Sequence, residues 1–375
     1  MIRKLSFGIF DTGETILGAL VFSTFFPLYI TKHIDTKVYS LLYALSFALS
    51  FLLALYIGSL ADRKALRKHF FIAFSFLVAV LCSLIYVSYG NPSLSLAVFL
   101  LLAITHQQSL VFYNSMLLNF ESRGFASGFG VALGYIGSAV ALLFMAQSLK
   151  EPEVYALVGM LFLLFSMPSI FTLPNPPHMS EVRVSHIFRD KRFILIVFSI
   201  LCLTEVANTL IAMMGIYLRE VFTMERADIY RVIGTSAIGG VVGGLFWGYV
   251  TDRIGVERVF RLGFVLWAIF LLTLPIASER TVLLWGLMAG VLLSHVWTTS
   301  RLLVLSRFPE EESSVRLSFL SLSERVASIS GLLTWSFLLF ITGDNFVMSA
   351  MIMTVFPVAG WFLYNISHAH SGSPN

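Results

Sequence analysis

The stretch "GSLADRKALRK", from Gly58 to Lys68, follows a long apolar segment, and "GYVTDRIGVER", from Gly248 to Arg258, follows another one later in the chain. Both stretches read G-x-x-x-D-R followed by further cations, at matching places in the two halves of the sequence. Positive charge beside an apolar segment is ordinary in membrane proteins, but it does not explain the repeated Gly and Asp. The repetition therefore predicts a chain built from two related halves.

The composition indicates an integral membrane protein. Of the 375 residues, 57% are hydrophobic and only 12% are charged, whereas a soluble domain has about 25% charged residues. The net charge of +4 is therefore not a nucleic-acid signal, and no nucleic-acid partner is expected. Cys82 and Cys202 lie in apolar segments and are expected to pack there, because a metal site needs three or four ligands. We predict no metal site and no cofactor.

Twelve segments are long enough to cross a bilayer, since a spanning helix needs about 20 apolar residues. The predicted fold class is an all-α membrane protein with twelve transmembrane helices in two pseudo-symmetric six-helix bundles. The predicted domains are an N-terminal bundle at 1–173, a polar, Pro-rich connector at 174–192 and a C-terminal bundle at 193–375. In chain order, the predicted spans 1 to 12 cover 7–30, 38–60, 69–89, 94–118, 124–149, 153–173, 193–218, 229–251, 258–277, 281–305, 314–341 and 345–365.

Lys and Arg are distributed unevenly over the connecting loops. Most of the 25 Lys and Arg residues fall in one alternating set of loops, which includes both ends of the chain and the connector. Because cytoplasmic loops carry the excess of positive charge, both termini and the connector are expected in the cytoplasm. Arg3 and Lys4 before an apolar run resemble a signal peptide. That run is too long, carries two acids and lacks a small-x-small cleavage site, so we predict a retained first span.

Polar and ionisable residues inside the predicted spans are concentrated in spans 1, 4, 7, 10 and 11. Spans 3, 6, 9 and 12 carry no charge in their interiors. Ionisable groups in a span almost always face the bundle interior or a water-filled cavity. We therefore predict that these side chains line a substrate or proton pathway. The candidate residues are Asp11, Glu14, His106, Asn114, Glu205, Asn208, His295, Arg301, Glu324 and Arg325.

The four acids of this set outnumber its two arginines. Two carboxyl groups must therefore be hydrated, protonated or bound to a cation. A buried carboxyl group that exchanges a proton suits proton transport, and Glu205 lies near the middle of its predicted span. The alternative for each residue is a hydrogen-bonded link between helices. Asp11, near the predicted cytoplasmic end of span 1, could also simply be solvated.

The paired G-x-x-x-D-R motifs in a chain of six plus six predicted spans resemble the major facilitator superfamily. The resemblance implies that each half is a six-helix repeat and that spans 1, 4, 7 and 10 line a central cavity. It also implies that the motif latches neighbouring helices in one conformation. The first copy departs from the family pattern at Ala65, where a Gly is usual, and the second has Gly255 but fewer cations. The implied latch residues are Gly58, Asp62, Arg63, Gly248, Asp252 and Arg253.

Three further stretches are similar to the vacuolar amino-acid effluxer-like branch of that superfamily, the autophagy-related effluxers. They are "FDTGET" in span 1, "VFYNSML" with "RGFASGFGVALGYIGS" in spans 4 and 5, and the segment 299–331 in spans 10 and 11. Glu14 and Glu324 depart from the branch, which usually has Asn and Gly there. The resemblance implies secondary transport, with amino acids as the best-known substrates of the eukaryotic members. Arg301 would suit the carboxylate of such a zwitterion, and Glu205 its ammonium.

The sequence thus predicts a secondary active transporter of small solutes, with amino acids as the candidate substrate class. It would be coupled to protons or another cation, and it would work by alternating access in a lipid bilayer, as a monomer. For a prokaryotic chain, the expected location is the plasma (inner) membrane. Efflux of lipophilic compounds or drugs is the alternative within transport, because Phe and Met give adaptable apolar surfaces.

Other functional classes have less support in the sequence. A membrane receptor without transport is the alternative from another class. An enzyme is not expected, because the chain has no nucleophile elbow, no His-Glu-x-x-His motif and no acidic pair arranged for a metal. The sequence has no Walker A motif either, so the chain is not predicted to be an ATP-driven pump.

Overall fold

The computed structural model describes residues 1–176 and 184–369. Within these two ranges, twelve helices are long and apolar enough to cross a membrane, and the twelve predicted spans are confirmed. The observed spans 1 to 12 are Ile2–Ile30, Val38–Lys64, Arg67–Ser88, Pro92–Asn119, Arg123–Ser148, Glu153–Thr172, Lys191–Phe222, Arg231–Ile254, Val256–Ile276, Val282–Arg307, Glu310–Thr342 and Phe346–His368.

Several spans depart from a regular α-helix. Span 1 has a wider, π-helical segment, and span 5 has a shorter one. Spans 4 and 9 end in tighter 3₁₀ turns, span 11 begins with one, and span 12 is broken into two helices. One short helix precedes span 7. The bounds are Gly18–Phe25 and Ala141–Met145 for the π-helical segments, Met116–Asn119, Leu274–Ile276 and Glu310–Glu312 for the 3₁₀ turns, Phe346–Ile352 and Val355–Ala369 for span 12, and Val184–Arg189 for the short helix.

Local sequence explains where some spans begin. Asn91 accepts a hydrogen bond from the main-chain N–H of Leu94 (3.1 Å) at the start of span 4. Asp190 accepts one from the N–H of Phe193 (3.1 Å) at the start of span 7. The first N–H groups of a helix have no partner inside the helix, and a capping side chain of this kind satisfies one of them, with a typical gain of about 1 kcal/mol.

Spans 2 and 8 run further than predicted, into the repeated motif. Span 2 ends at Lys64 and span 8 at Ile254, so both Asp-Arg pairs lie on the last helical turn and not in a loop. The prediction treated charged residues as loop residues. A helix satisfies its own main-chain hydrogen bonds, and its charged side chains are tolerated where the span reaches the polar boundary of the membrane.

The chain divides into two compact units, and the division falls inside the predicted connector 174–192. Residues 177–183 of that connector lie outside the described residues. One segment from the second half of the sequence, Val304–Ser318, belongs to the first unit. Unit 1 comprises Met1–Val182 and Val304–Ser318, and unit 2 comprises Arg183–Leu303 and Phe319–Asn375.

Small residues set the closest helix contacts inside each unit. In unit 1, span 1 packs against spans 5 and 6, and a Cβ added at Gly137 of span 5 would lie 2.7 Å from the carbonyl oxygen of Thr12. In unit 2, a Cβ added at Gly239 of span 8 would lie 2.1 Å from the carbonyl oxygen of Leu287 in span 10. Glycine at such crossings lets two helix backbones approach closely.

Candidate functional site

Two of the predicted pathway residues, Glu14 and His106, lie together inside unit 1. Glu14 is on span 1 and His106 is on span 4, and the Glu14 Oε1 and His106 Nε2 atoms are 3.4 Å apart. The His106 side chain is 3% exposed and that of Glu14 is 21% exposed. The sequence had nominated both residues without pairing them. The structure therefore forms a carboxylate–imidazole pair, with the imidazole almost completely buried.

Aromatic rings hold the imidazole of His106 in place. The Phe22 ring lies with its centroid 5.0 Å from that of His106, and the Phe162 ring meets it edge-on at 6.3 Å. Phe22 belongs to the π-helical segment Gly18–Phe25. Wide turns of this kind are rare inside α-helices and are frequent at functional sites. The irregular part of span 1 thus supplies one wall of the Glu14–His106 pair.

Asp11 is buried, which disagrees with the alternative that it is solvated at the end of span 1. It is 8% exposed and adjoins span 5, because a Cβ added at Gly134 would lie 3.8 Å from the Cβ of Asp11. One turn further, the Thr15 hydroxyl donates to the carbonyl of Gly134 (2.8 Å). Asp11 therefore lies beside the packed contact of spans 1 and 5, whereas Glu14 faces span 4.

Glu205 forms the corresponding buried cluster in unit 2. It lies on span 7 and is 3% exposed. Its carboxylate accepts hydrogen bonds from two hydroxyl groups of span 11, Ser330 Oγ at 2.5 Å and Thr334 Oγ1 at 3.2 Å. Sequence reasoning missed Ser330 and Thr334, because the candidate residues were limited to ionisable side chains and asparagines. Two hydroxyl residues four positions apart on an otherwise apolar helix face were the available signal.

A second contact joins spans 7 and 11 beside Glu205. The Thr209 hydroxyl donates to the carbonyl of Glu205 (2.8 Å), and a Cβ added at Gly331 would lie 2.4 Å from that hydroxyl oxygen. Asn208 Nδ2 donates to the carbonyl of Glu324 (3.2 Å). Asn208 is thus placed as a hydrogen-bonding link between two helices, which was the alternative for each of these residues.

For four further predicted residues the structure gives the burial of the side chain. Asn114 of span 4 is half-buried, as are Glu324 and Arg325 of span 11. Arg301 of span 10 is 7% exposed. Their roles in a substrate or proton pathway stay predictions.

His295 is enclosed by packed helices of unit 2. Its side chain is fully buried, and its Nε2 atom lies 2.9 Å from the carbonyl oxygen of Val259 in span 9. The Trp247 ring of span 8 meets it edge-on at 4.9 Å, and a Cβ added at Gly263 would lie 2.1 Å from the imidazole ring. This environment favours a packing role for His295 over the predicted place in a pathway.

The first copy of the repeated motif forms a buried ionic cluster in unit 1, which we name the Asp62 cluster. It consists of Asp62, Arg67 and the main chain of 310–315. Asp62 is fully buried, and its Oδ1 atom accepts a hydrogen bond from Arg67 Nε at 2.8 Å. Its Oδ2 atom accepts from the main-chain N–H groups of Ser314 (3.2 Å) and Val315 (3.3 Å).

Asp62 thereby caps a helix that begins nearby in unit 1. Ser314 and Val315 are in the first turn of the helix Ser313–Thr342, where N–H groups lack partners and the helix dipole favours a negative charge. Gly58 permits the approach, since a Cβ added there would lie 3.3 Å from the main chain of Ser314 and Val315.

Arg67 supplies the cation of this cluster, a role the sequence had given to Arg63. Arg67 is fully buried, and its Nη2 atom donates to the carbonyl groups of Glu310 (2.7 Å) and Glu311 (3.2 Å). Arg63 is exposed. The planar guanidinium of Arg67 thus joins the carboxylate of Asp62 to two main-chain oxygens at once.

The second copy of the motif is exposed. Gly248 is buried, but both Asp252 and Arg253 are exposed at the end of span 8. The guanidinium of Arg253 lies over the ring of Tyr249, 4.9 Å from its centroid. The predicted latch role of this copy stays a prediction.

Among residues 1–176 and 184–369, no three His, Cys, Asp or Glu side chains lie close enough together to hold a metal ion. Besides the Asp62 cluster, the spans hold two carboxylates with close partners, Glu14 beside His106 and Glu205 with its hydroxyl donors.

Comparisons with known proteins indicate the family and the fold of the chain. Residues 196–375 match the model of the Major Facilitator Superfamily, and residues 24–123 match the model of the family described as vacuole effluxer Atg22 like. An uncharacterized protein of Aquifex aeolicus (strain VF5) is 58% identical over 363 residues, which are 97% of this chain and 96% of that protein.

Solved structures share the fold over nearly the full length. A bacterial homologue of the iron transporter ferroportin, in its outward-facing state, has a TM-score of 0.75 at 16% identity over 98% of both chains. The transporter FucP, in its outward conformation, has a TM-score of 0.79 at 12% identity, over 98% of this chain and 97% of that chain. The human organic anion transporter MFSD10 (TETRAN) has a TM-score of 0.74 at 12% identity, over 97% and 98%. At such identities the likeness shows the fold alone.

Twelve spans in two units define a polytopic membrane protein. The chain belongs to the major facilitator superfamily. Members of this superfamily are transporters and not enzymes, so the protein is an integral membrane transporter.

Proposed function

We propose that the protein is a secondary active carrier of small solutes, coupled to protons and working by alternating access. In each unit a carboxylate inside a span lies against partners that are exchangeable or neutral, and this observation carries the proposal. Glu14 lies against the imidazole of His106, and Glu205 lies against the hydroxyl groups of Ser330 and Thr334. In the described part of the protein, no Lys or Arg forms an ion pair with Glu205.

The partners of these carboxylates tolerate a change of protonation. A hydroxyl group donates to an ionised carboxylate and accepts from a protonated one, and an imidazole nitrogen can likewise be donor or acceptor. The Glu205 cluster can therefore keep its hydrogen bonds whether or not the carboxyl group carries a proton, and the imidazole of His106 lies close enough to Glu14 to exchange one with it. A carboxylate clamped by arginine, as Asp62 is, lacks that property because arginine cannot be deprotonated in proteins.

Amino acids are the substrate class that we propose. The match of residues 24–123 to the Atg22-like effluxer family supports this choice, and so do the oppositely charged groups of Arg301 and Glu205 in spans 10 and 7. A carboxylate and an ammonium on one small molecule complement such a pair. The fold is also that of the E. coli fucose:proton symporter, FucP, with a TM-score of 0.78 at 12% identity, so proton coupling occurs on this fold.

The Asp62 cluster supports the conformational part of the proposal. Its buried ionic contacts hold the segment 310–315 in one arrangement, and a transport cycle needs arrangements that differ in such contacts. We propose that Asp62 and Arg67 stabilise one state of the carrier and release the segment in another.

The test is uptake into proteoliposomes with and without an imposed pH step. Wild-type protein should accumulate labelled amino acids only with the step. Glu205→Gln mimics the protonated acid, so accumulation should be lost while exchange of substrate without a gradient continues. Glu257→Gln is the control, because it makes the same chemical change at an exposed carboxylate, which pairs with His368 at 3.2 Å. It should behave as wild type.

Several outcomes would contradict the proposal. Wild-type uptake that ignores the pH step, or a Glu205→Gln variant that still concentrates substrate, would remove the proton-carrier role of Glu205. Export of a lipophilic fluorescent dye without amino-acid uptake would favour drug efflux instead. Specific amino-acid binding without any flux would favour a receptor.

We also propose that the carrier lies in the plasma (inner) membrane as a monomer, with both termini cytoplasmic. The loop charges support this orientation, and the close relative from Aquifex aeolicus supports a bacterial membrane. A Ser185→Cys variant, made after replacing Cys82 and Cys202, should resist a membrane-impermeant maleimide in intact cells and react after permeabilisation. Labelling in intact cells would reverse the orientation.

A further inference from the structure

A pocket inside unit 2 is walled almost entirely by apolar side chains from spans 7 to 12. It encloses about 620 Å³ of empty space, part of which is open to the surroundings. The wall includes flexible methionines and flat aromatic rings, among them Met213, Met214, Phe270 and Trp285. Among the described residues that line the pocket, none carries a charged side chain.

Two residues of this wall carry unsatisfied hydrogen-bonding groups. Tyr217 of span 7 and Trp335 of span 11 are 6% and 5% exposed. The Tyr217 hydroxyl and the Trp335 indole N–H are buried and have no hydrogen-bond partner within the described residues. Buried polar groups in native proteins are almost always paired, and buried Tyr and Trp usually find a partner for the O–H or N–H. Two orphaned donors on one pocket wall therefore indicate a missing acceptor.

We propose that this pocket binds a neutral lipophilic molecule that carries a hydrogen-bond acceptor oxygen, such as a medium-chain ketone or alcohol. The apolar wall accepts the hydrocarbon body, and the donors of Tyr217 and Trp335 bind the oxygen. A charged ligand does not fit, because a buried ion without a partner is very costly. The other polar groups of the wall are the Thr209 hydroxyl, which already donates to the carbonyl of Glu205, and the indole N–H of Trp285.

The pocket is a different site from the carboxylate cluster proposed for transport. The hydroxyl donors of Glu205, Ser330 and Thr334, are not among the lining residues, whereas Val206 and Thr209, its neighbours on span 7, are. Binding in the pocket therefore does not depend on proton coupling, and it can be measured on the protein without a transport assay.

Photolabelling of the full-length protein in nanodiscs with 3-azioctanol, an eight-carbon alcohol with a photoreactive diazirine, tests the proposal. Adducts should map by mass spectrometry to the pocket lining. An excess of 2-octanone should suppress these adducts. The competitor n-octane should suppress them about fivefold less well, because it lacks the acceptor oxygen. Octanoate should have no effect, because it is charged.

Variants separate the donors from the rest of the wall. Trp335→Phe and Tyr217→Phe keep the aromatic wall but remove one donor each, so each should weaken competition by 2-octanone about fivefold and leave that by n-octane unchanged. Tyr249→Phe and Trp361→Phe are the matched controls, since these rings are 53% and 38% exposed. Both should match wild type.

A filling variant tests the cavity itself. Ala350→Leu adds volume to the wall and should lower labelling about tenfold. The thermal unfolding midpoint of Ala350→Leu shows whether this variant folds. If it does not fold, Trp335→Phe and Tyr217→Phe decide whether the pocket binds the alcohol. Adducts confined to lipid-exposed residues, equal competition by octane and octanone, or donor variants that behave as wild type would each overturn the proposal.

Discussion

The two copies of the G-x-x-x-D-R motif share their sequence pattern and differ in environment. Asp62 is fully buried and holds both Arg67 and the first turn of the helix Ser313–Thr342. Asp252 lies at the same place on the end of span 8 and is exposed. An exposed ion pair contributes only about 0–1 kcal/mol. We therefore expect the first copy to contribute much more than the second to the free energy of unfolding.

The residue five positions after the aspartate accounts for much of this difference. That residue is Arg67 in the first copy and Glu257 in the second. An arginine there neutralises the buried carboxylate, whereas a glutamate would repel it. Glu257 pairs instead with His368 at 3.2 Å. The comparison teaches that the G-x-x-x-D-R motif places an aspartate at the end of a helix. Whether that aspartate can be buried depends on a residue outside the motif, which is Arg67 in the first copy.

Asp62→Asn should have the largest effect. The substitution keeps the shape of the side chain but leaves the buried guanidinium of Arg67 without its counter-charge. Removing one member of a buried ion pair typically costs about 3–5 kcal/mol. Membrane insertion should be retained, whereas the free energy of unfolding in an SDS titration and the uptake rate should both fall.

A double variant checks that the loss comes from the stranded charge. Asp62→Asn combined with Arg67→Gln should lose less than the sum of the two single losses, since no ion remains buried without a partner. Strict additivity, or normal transport by Asp62→Asn alone, would remove the ionic role of the cluster.

Arg67→Lys should have the second largest effect. Lysine keeps the charge but cannot bond Asp62 and the carbonyls of Glu310 and Glu311 at the same time, as the planar guanidinium does. Leaving buried acceptors unpaired costs about 1–3 kcal/mol, measurable in the same titration. Arg63→Lys, at an exposed position, is the control and should lie within about 0.5 kcal/mol of wild type. Equal losses for both variants would contradict the assignment of Arg67.

Ala65→Gly should have a smaller effect of opposite sign. Ala65 directly follows span 2 and has a φ of 51°, a left-handed conformation that costs a residue with a side chain about 1–2 kcal/mol. The added flexibility of glycine in the unfolded chain offsets about 0.5–1 kcal/mol, so a net stabilisation of about 0.5–1 kcal/mol remains. Gly255→Ala in the second copy, where φ is 87°, should instead destabilise. A lower free energy of unfolding in Ala65→Gly would contradict the inference that the backbone at Ala65 is strained.

The sequence was sufficient for the twelve spans, because long apolar segments are a strong signal for a membrane helix. The motif repeat likewise indicated two related halves. It did not indicate that 304–318 belongs to unit 1. That assignment depends on three-dimensional contacts of Asp62 and Arg67, which hydropathy does not report.

The candidate site was predictable as a set of residues and not as a set of contacts. Ionisable residues in spans are rare enough to nominate Glu14, His106 and Glu205 directly. Which of them meet depends on the rotation and tilt of each helix, and these follow from packing against neighbours. His295 shows what the sequence could not reveal. It was predicted as a pathway residue, like Arg301 of the same span, but its imidazole is packed against the carbonyl of Val259.

Asp252→Asn should have the smallest effect and therefore sharpens the comparison with Asp62 most directly. The same chemical change is made at the same place in the motif, but the side chain is exposed, so water can solvate either form. Surface substitutions of this kind usually stay within about 0.5 kcal/mol, and added salt should diminish even that difference because it screens exposed charges. The measurement is the SDS titration and the uptake assay used for Asp62→Asn, both repeated at low and high salt. A loss as large as that of Asp62→Asn would mean that the second copy is buried in another state of the carrier, and the two copies would then act in turn and not as one strong and one weak contact.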